Sequence, residues 1–105
     1  MAYVKTDATY YGPKATSIDL EVNLAPYNPK NVKSIRFELK KPGGTIVHRE
    51  TNSYSKVTGT FHASIAITRF LVNPKLKGTY YVKVTFFNSS GKVITSVESK
   101  KIYFT

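Results

Sequence analysis

The strongest constraint on the fold is an alternating stretch at residues 80–87. Tyr80, Val82, Val84 and Phe86 fall on one side of an extended chain, and Tyr81, Lys83, Thr85 and Phe87 fall on the other. A period of two is that of a β-strand with one buried face. Such a strand buries its apolar face against a second layer, so the sequence predicts packed sheets.

The same alternation recurs upstream, where apolar and polar residues alternate over 18–24, 35–39 and 57–67. In the second of these segments Ser34, Arg36, Glu38 and Lys40 are predicted to face solvent. Turn-forming residues separate the segments: a proline-containing loop at 25–29, Gly43-Gly44, and a hairpin at 88–91. Seven or eight strands at this spacing are typical of two antiparallel sheets packed as a sandwich.

The two ends of the chain carry less regular patterns. Residues 2–11 are rich in Tyr, Thr and Val, and we predict one edge strand there. Near the other end Val93 and Val97 are odd-numbered but Ile102 and Phe104 are even-numbered, which predicts a β-bulge between residues 98 and 101. Residues 69–77 are predicted to cross between the sheets. A length of 105 residues suits one domain, residues 1–105.

The segment Leu76, Gly78, Thr79 and Tyr80, followed by Val82 and Val84, resembles the turn and strand F of immunoglobulin-like and fibronectin type III-like domains. The resemblance implies that the Tyr80 ring fills the core and that its hydroxyl bonds to backbone upstream. The chain has no Cys and no Trp, so it departs from antibody domains, and Phe37 would fill the place of their tryptophan. The predicted fold class is therefore an all-β, two-sheet antiparallel immunoglobulin-like sandwich.

The charge of the chain favours acidic partners. Sixteen Lys and Arg residues against six Asp and Glu give a net charge of +10, which attracts anionic polymers or surfaces. The alternative is a field that provides solubility without a partner. The absence of Cys excludes disulfides, thiolate metal ligands and a cysteine nucleophile.

The residues that might support catalysis lack a suitable setting. Asp19 and Glu21 lie two positions apart on one strand, with Cα atoms about 6.6 Å apart, but a flat strand offers no pocket and we interpret both as surface charge. His62 has the polar parity of its strand and is predicted to be exposed. No nucleophile motif, metal-ligand set or phosphate-binding loop is present, so we predict a protein that is not an enzyme and uses no cofactor or metal.

A candidate binding surface combines aromatic rings with cations. If the strands at 34–40 and 78–87 share a sheet, its outer face carries Arg36, Lys40, Tyr81, Lys83 and Phe87. Rings supply stacking surface and cations bind phosphates or acidic sugars. The alternative is that the rings only pack across strands and stabilise the sheet. A second basic group, Lys30, Lys33, Lys75 and Lys77, lies in loops predicted to meet at one end.

The leading hypothesis is a non-enzymatic, monomeric binding module that contacts an anionic polysaccharide, a cell-wall polymer or a protein partner. We expect it to be secreted or at the cell surface, with any signal peptide outside this sequence. The alternative is a structural or assembly module, with edge strands near residues 3–10 and 46–49 pairing with neighbours. Nucleic-acid binding ranks third, since no nucleic-acid-binding motif is present, and catalysis ranks last.

Overall fold

A computed structural model describes residues 2–54, 59–67 and 77–105 of the chain. These residues form nine strands and one short 3-10 helix, Pro29–Asn31. The strands are β1 (Tyr3–Thr6), β2 (Tyr10–Tyr11), β3 (Ser17–Asn23), β4 (Ser34–Lys40), β5 (Ile46–Ser53), β6 (Thr60–Ala66), β7 (Gly78–Phe87), β8 (Val93–Glu98) and β9 (Ile102–Phe104). Within the described residues, no helix is long and apolar enough to cross a membrane.

The strands form two sheets. The smaller sheet has the order β1-β3-β6, and the larger has the order β2-β9-β7-β4-β5 with β8 also paired to β7. Neighbouring strands are antiparallel except β2 and β9, which are parallel. The predicted all-β, two-sheet sandwich is confirmed, with nine strands in the described residues rather than seven or eight.

The additional strand comes from the amino-terminal segment, where the prediction of one strand over residues 2–11 is wrong. β1 pairs with β3 in the smaller sheet, whereas β2 pairs with β9 in the larger one. Asp7 stabilises the crossing between them, because its Oδ1 atom accepts a hydrogen bond from the Tyr11 hydroxyl at 2.6 Å and another from the Asp19 backbone N–H at 3.2 Å. Each of the two short strands lies at a sheet edge, as predicted.

The core lies between the sheets and follows the predicted parity. Tyr80, Val82, Val84 and Phe86 are all buried, as are the inward residues of β3, which are Ile18, Leu20 and Val22. The Tyr80 ring packs edge-on against Phe104, with ring centroids 5.1 Å apart. Residues 68–76, where the resemblance would place a backbone partner for the Tyr80 hydroxyl, lie outside the described residues. So does most of the crossing predicted for 69–77.

The predicted bulge near residues 98–101 is confirmed by the strand registers. Lys83 pairs with Glu98 and Tyr80 pairs with Ile102, so the two residues 81–82 of β7 oppose the three residues 99–101 of the returning chain. Ser99 occupies the insertion: its backbone N–H donates to the Val82 carbonyl at 2.8 Å, and its hydroxyl oxygen accepts from the Val82 N–H at 2.9 Å. The extra residue thus forms hydrogen bonds with both backbone groups of Val82, while the side chains that follow it alternate in the opposite order.

The predicted turns also form. Gly43 and Gly44 have φ angles of 98° and 101°, in the left-handed region that glycine adopts without strain. In the β7–β8 hairpin the Asn88 side-chain oxygen accepts hydrogen bonds from the backbone N–H groups of Ser90 and Lys92, at 2.9 and 3.0 Å. Residues 24–33 connect the two sheets and contain the 3-10 helix, which Asn28 caps.

Candidate binding site

Strands β4 and β7 are neighbours, so the five residues of the predicted surface lie on one sheet face. The register places Lys40 opposite Tyr81 and Ser34 opposite Phe87. The Arg36 guanidinium lies 5.1 Å from the centre of the Phe87 ring, and the Lys40 ammonium lies 5.9 Å from that of Tyr81. Both distances fall within the roughly 6 Å range of cation–π attraction. Two cation–ring pairs therefore flank the middle of this face.

The middle of the face holds a residue whose environment was predicted wrongly. Glu38 was expected in solvent, but it is only 2% exposed. Arg49 on β5 donates to its Oε2 atom from Nε at 3.1 Å and from Nη2 at 2.8 Å, and Arg36 Nε lies 3.4 Å from Oε1. The arginine side chains of β4 itself and of the adjacent strand β5 thus contact both carboxylate oxygens. A residue whose position in the alternation places it on the outer face of a central strand is therefore not necessarily exposed.

The ionisation of Glu38 follows from these neighbours. Burial alone raises the pKa of a carboxyl group, but the hydrogen bond from Arg49 and the charges of Arg36, Arg49 and Lys40 together outweigh it. The pKa of Glu38 consequently lies below its ordinary value. Glu38 is ionised at neutral pH and engages two of the face's cations. Among the described residues, neither Lys40 nor Lys83 of the predicted surface forms an ion pair with the Glu38 carboxylate. Lys83 lies opposite Glu38 on β4 and opposite Glu98 on β8.

The outer face of the smaller sheet is acidic. Its strands align Glu21 with His62 and Asp19 with Ser64. Hydroxyls of Ser64 and Ser17 donate to Asp19 Oδ1 at 2.6 and 3.0 Å, which lowers the pKa of Asp19. Asp19 and His62 are exposed, as expected. In the described part of the chain, no three His, Cys, Asp or Glu side chains are grouped so as to hold a metal ion.

The loop lysines are grouped only in part as predicted, since Lys30 and Lys33 lie together at one end of the sandwich. The Lys33 N–H bonds to the carbonyl of Phe87, at the carboxyl end of β7. Lys77 directly precedes β7 at its other end. The two lysines therefore lie at opposite ends of the sandwich, and the prediction is wrong for Lys77. Lys75 lies outside the described residues.

A concave site that the sequence did not reveal lies beside Lys33. The β3–β4 connection and the β7–β8 hairpin meet there and enclose about 390 Å³. We call this site the loop-end concavity; its lining includes Tyr27, Asn28, Lys30, Lys33, Asn88 and Ile94. The concavity forms where two connections that are far apart in sequence come together. The alternation of residues within a strand therefore does not predict it.

Two packed sheets with charged and polar outer faces define this protein as a β-sandwich domain of the immunoglobulin-like class. A family model described as the YqgA MG2 macroglobulin domain matches residues 1–105. The chain therefore belongs to this macroglobulin-domain family. No curated protein matches it.

Solved structures confirm the immunoglobulin-like and fibronectin type III-like resemblance at the level of the fold. The chain is similar to a fibronectin(III)-like module of Clostridium thermocellum CbhA, with a TM-score of 0.50, 11% identity, and coverage of 97% of this chain and 95% of the other. It is also similar to a CARDB domain from Pyrococcus furiosus, determined in complex with di-metal ions, with a TM-score of 0.54, 13% identity and coverage of 99% and 92%.

Proposed function

We propose that this macroglobulin-like domain is a non-enzymatic module that binds an anionic polymer or an acidic protein partner through its basic surface. The observation that supports this most is the uneven distribution of charge. The acidic residues Asp7, Asp19 and Glu21 lie together beside the outer face of the smaller sheet. Of the other three acidic residues in the chain, Glu38 is buried and neutralised by arginines. Among the described residues, Arg36 and Arg49 are the only Lys or Arg side chains in an ion pair with a carboxylate, so the lysines there are left without one.

The serine and histidine of the smaller sheet support a role without catalysis. Ser64 and His62 lie on the same face of β6, but the Ser64 hydroxyl donates its proton to Asp19 at 2.6 Å. A nucleophile needs a base that accepts its proton as it attacks, and an exposed carboxylate with a lowered pKa is a poor base. This pair of residues therefore does not favour hydrolysis.

Titration against anionic polymers tests the proposal. Polygalacturonate, phosphomannan and poly-L-glutamate, with neutral dextran as control, would be titrated at about 0.01 M and about 0.15 M salt, where screening differs strongly. We expect binding to at least one anionic polymer that weakens with salt, and none to dextran. A protein that ignores every anionic polymer, or that binds them equally at both salt concentrations, would refute the proposal.

We also propose that residues 1–105 fold as one domain that works outside the cell or at its surface, where anionic polymers are accessible. Both terminal segments contribute to the same core, since Val4 and Phe104 are buried within it. A single cooperative unfolding transition is expected for one domain. Digestion of intact cells with protease should remove the protein; complete protection until lysis would contradict this location.

A structural or assembly role is the second candidate, and one exposed residue favours it. Tyr10 lies on the edge strand β2, is 70% exposed and stacks on Tyr103 with ring centroids 5.3 Å apart. An exposed aromatic residue on an edge strand suits pairing with a neighbouring chain. Light scattering over a range of concentrations separates the candidates: a constant monomer mass is expected for the binding module, and growth that Tyr10→Lys abolishes would favour assembly.

A further inference from the structure

The loop-end concavity differs chemically from the basic sheet face because its polar side chains are arranged to donate. The Asn28 amide oxygen accepts from the Lys30 backbone N–H at 3.0 Å, and the Asn88 amide oxygen accepts from Ser90 and Lys92. With their oxygens held by backbone donors, both amides have their NH₂ groups available for other partners. The two asparagines therefore act here as hydrogen-bond donors.

The charges around the concavity have one sign. Lys30 and Lys33 belong to its lining and both are exposed. Among the described residues, no acidic side chain lines it. This distinguishes it from the sheet face, where Glu38 already engages Arg36 and Arg49. A ligand with negative charge and several acceptor oxygens complements the concavity better than it complements that face.

Two apolar groups complete the concavity. Tyr27 is 39% exposed, so part of its ring is open to a ligand. Ile94 is the extra residue of a second bulge, since Phe86 pairs with Thr95 and Phe87 pairs with Val93. A bulge redirects the side chain that it inserts, and here Ile94 reaches the lining while it also packs against the core. The volume of about 390 Å³ lies in the range of small-ligand sites, roughly 300–1,000 Å³.

From this combination we infer that the loop-end concavity binds one anionic sugar residue of a polysaccharide, carrying a carboxylate or a phosphate. The lysines and amide NH₂ groups receive the anionic oxygens and hydroxyls, and the open part of the Tyr27 ring packs against the C–H face of the sugar. The inference rests on the proposed function and names the class of ligand and the place where it binds.

Matched pairs of lysines provide the test. Lys30→Ala/Lys33→Ala removes two charges from the concavity, and Lys40→Ala/Lys83→Ala removes two from the sheet face. Binding of polygalacturonate and phosphomannan would be measured at low salt for each variant, with thermal unfolding to verify the fold. We expect the concavity pair to weaken binding of one polysaccharide roughly tenfold or more, and the face pair by less than about threefold.

Tyr27→Ala tests whether the ligand is a sugar. It should weaken polysaccharide binding roughly fivefold and leave any binding of poly-L-glutamate unchanged. If the carboxylated polymer alone responds to these variants, the anion is a uronate; if phosphomannan alone responds, it is a sugar phosphate.

The possible failures are distinguishable. A wild-type protein that binds no anionic polymer refutes the proposed function itself. If the wild type binds a polysaccharide but the face pair weakens binding as much as the concavity pair or more, the location is wrong and the function stands. If poly-L-glutamate binds as tightly as either polysaccharide and Tyr27→Ala changes neither, the sugar class is wrong.

Discussion

Arg49 on the edge strand β5 donates two hydrogen bonds to one carboxylate oxygen of Glu38, a residue that is only 2% exposed on the outer face of β4. The other oxygen lies 3.4 Å from Arg36 Nε. A buried carboxylate is stabilised only while its partners remain, because removing one leaves a desolvated charge. Glu38 thus makes the stability of a solvent-facing surface depend on particular arginines.

This relationship predicts unequal effects for the two partners. Arg49→Met should lower the free energy of unfolding by about 1–3 kcal/mol, because the Glu38 charge loses its closest donor. Glu38→Met should be milder, since it removes the buried charge and leaves the half-exposed Arg49 free to reach water. Urea denaturation measures both, with Lys92→Met on the hairpin as a control. An Arg49→Met variant as stable as the control would contradict the role of the pair.

The lowered pKa of Glu38 predicts a loss of stability in acid. A carboxyl group whose pKa is lower in the folded state stabilises the fold above its unfolded pKa of about 4.3, and this contribution is lost as the pH falls through the folded value. Glu38→Gln should therefore be less stable at neutral pH and should decline less steeply below about pH 4. Urea midpoints across the acid range measure the slope. Parallel declines in the two proteins would show that the Glu38 carboxylate does not stabilise the fold.

The parity of the strands predicted the interior well but did not predict the environment of Glu38. Ile35, Phe37 and Leu39 are buried as their alternation indicated, because a strand with one apolar face has only one way to cover it. Exposure of the opposite face depends on the length of side chains on adjacent strands. Arg49 lies across from Glu38 only after β5 has paired with β4, and that register depends on the β4–β5 turn and a bulge.

The two candidate binding areas show the same contrast. The placement of Lys40 and Tyr81 on one sheet face was predictable, since it requires only that two recognisable strands be neighbours, whereas their direct pairing depends on the strand register. The loop-end concavity was not, because Tyr27 and Asn88 lie in separate connections without a periodic pattern. The sequence also did not predict that residues 2–11 form two strands. Their composition is typical of a strand throughout, although the chain crosses from one sheet to the other near Asp7.

Tyr11 and its neighbour Tyr10 form a matched pair for testing that crossing. The buried Tyr11 hydroxyl donates to Asp7 and accepts from the Ala8 N–H, whereas Tyr10 is exposed. Tyr11→Phe should lower stability by about 1 kcal/mol through loss of these hydrogen bonds, and Tyr10→Phe should have little effect. Chemical denaturation at neutral pH compares the two variants. Equal effects would mean that the Tyr11–Asp7 hydrogen bond does not stabilise the crossing.

The same tyrosine predicts a loss of stability in alkali. Burial, aided by the hydrogen bond and charge of Asp7, raises the pKa of Tyr11 above its ordinary value, and burial also raises that of Tyr80. Because the unfolded chain ionises first, near pH 10, stability is intact below that pH and declines above it. Tyr11→Phe should make the decline shallower without abolishing it, since Tyr80 remains. An unchanged slope would show that Tyr11 ionises equally in both states.

Ser99 offers the sharpest test of the bulge that joins β8 to β9. Its hydroxyl oxygen accepts from the backbone N–H of Val82, a fully buried residue of the central strand, and donates to the Lys100 carbonyl at 2.8 Å. Ser99→Ala leaves that N–H without its side-chain acceptor, which should cost about 1–2 kcal/mol of unfolding free energy. Ser96→Ala, an exposed serine of β8, removes a hydroxyl of the same kind and should change stability by less than about 0.5 kcal/mol.

Hydrogen exchange at the Val82 amide reports the effect locally, and we expect it to accelerate only in Ser99→Ala. Wild-type exchange there, together with equal stability of the two variants, would mean that the inserted residue changes the strand register without its hydroxyl stabilising β7.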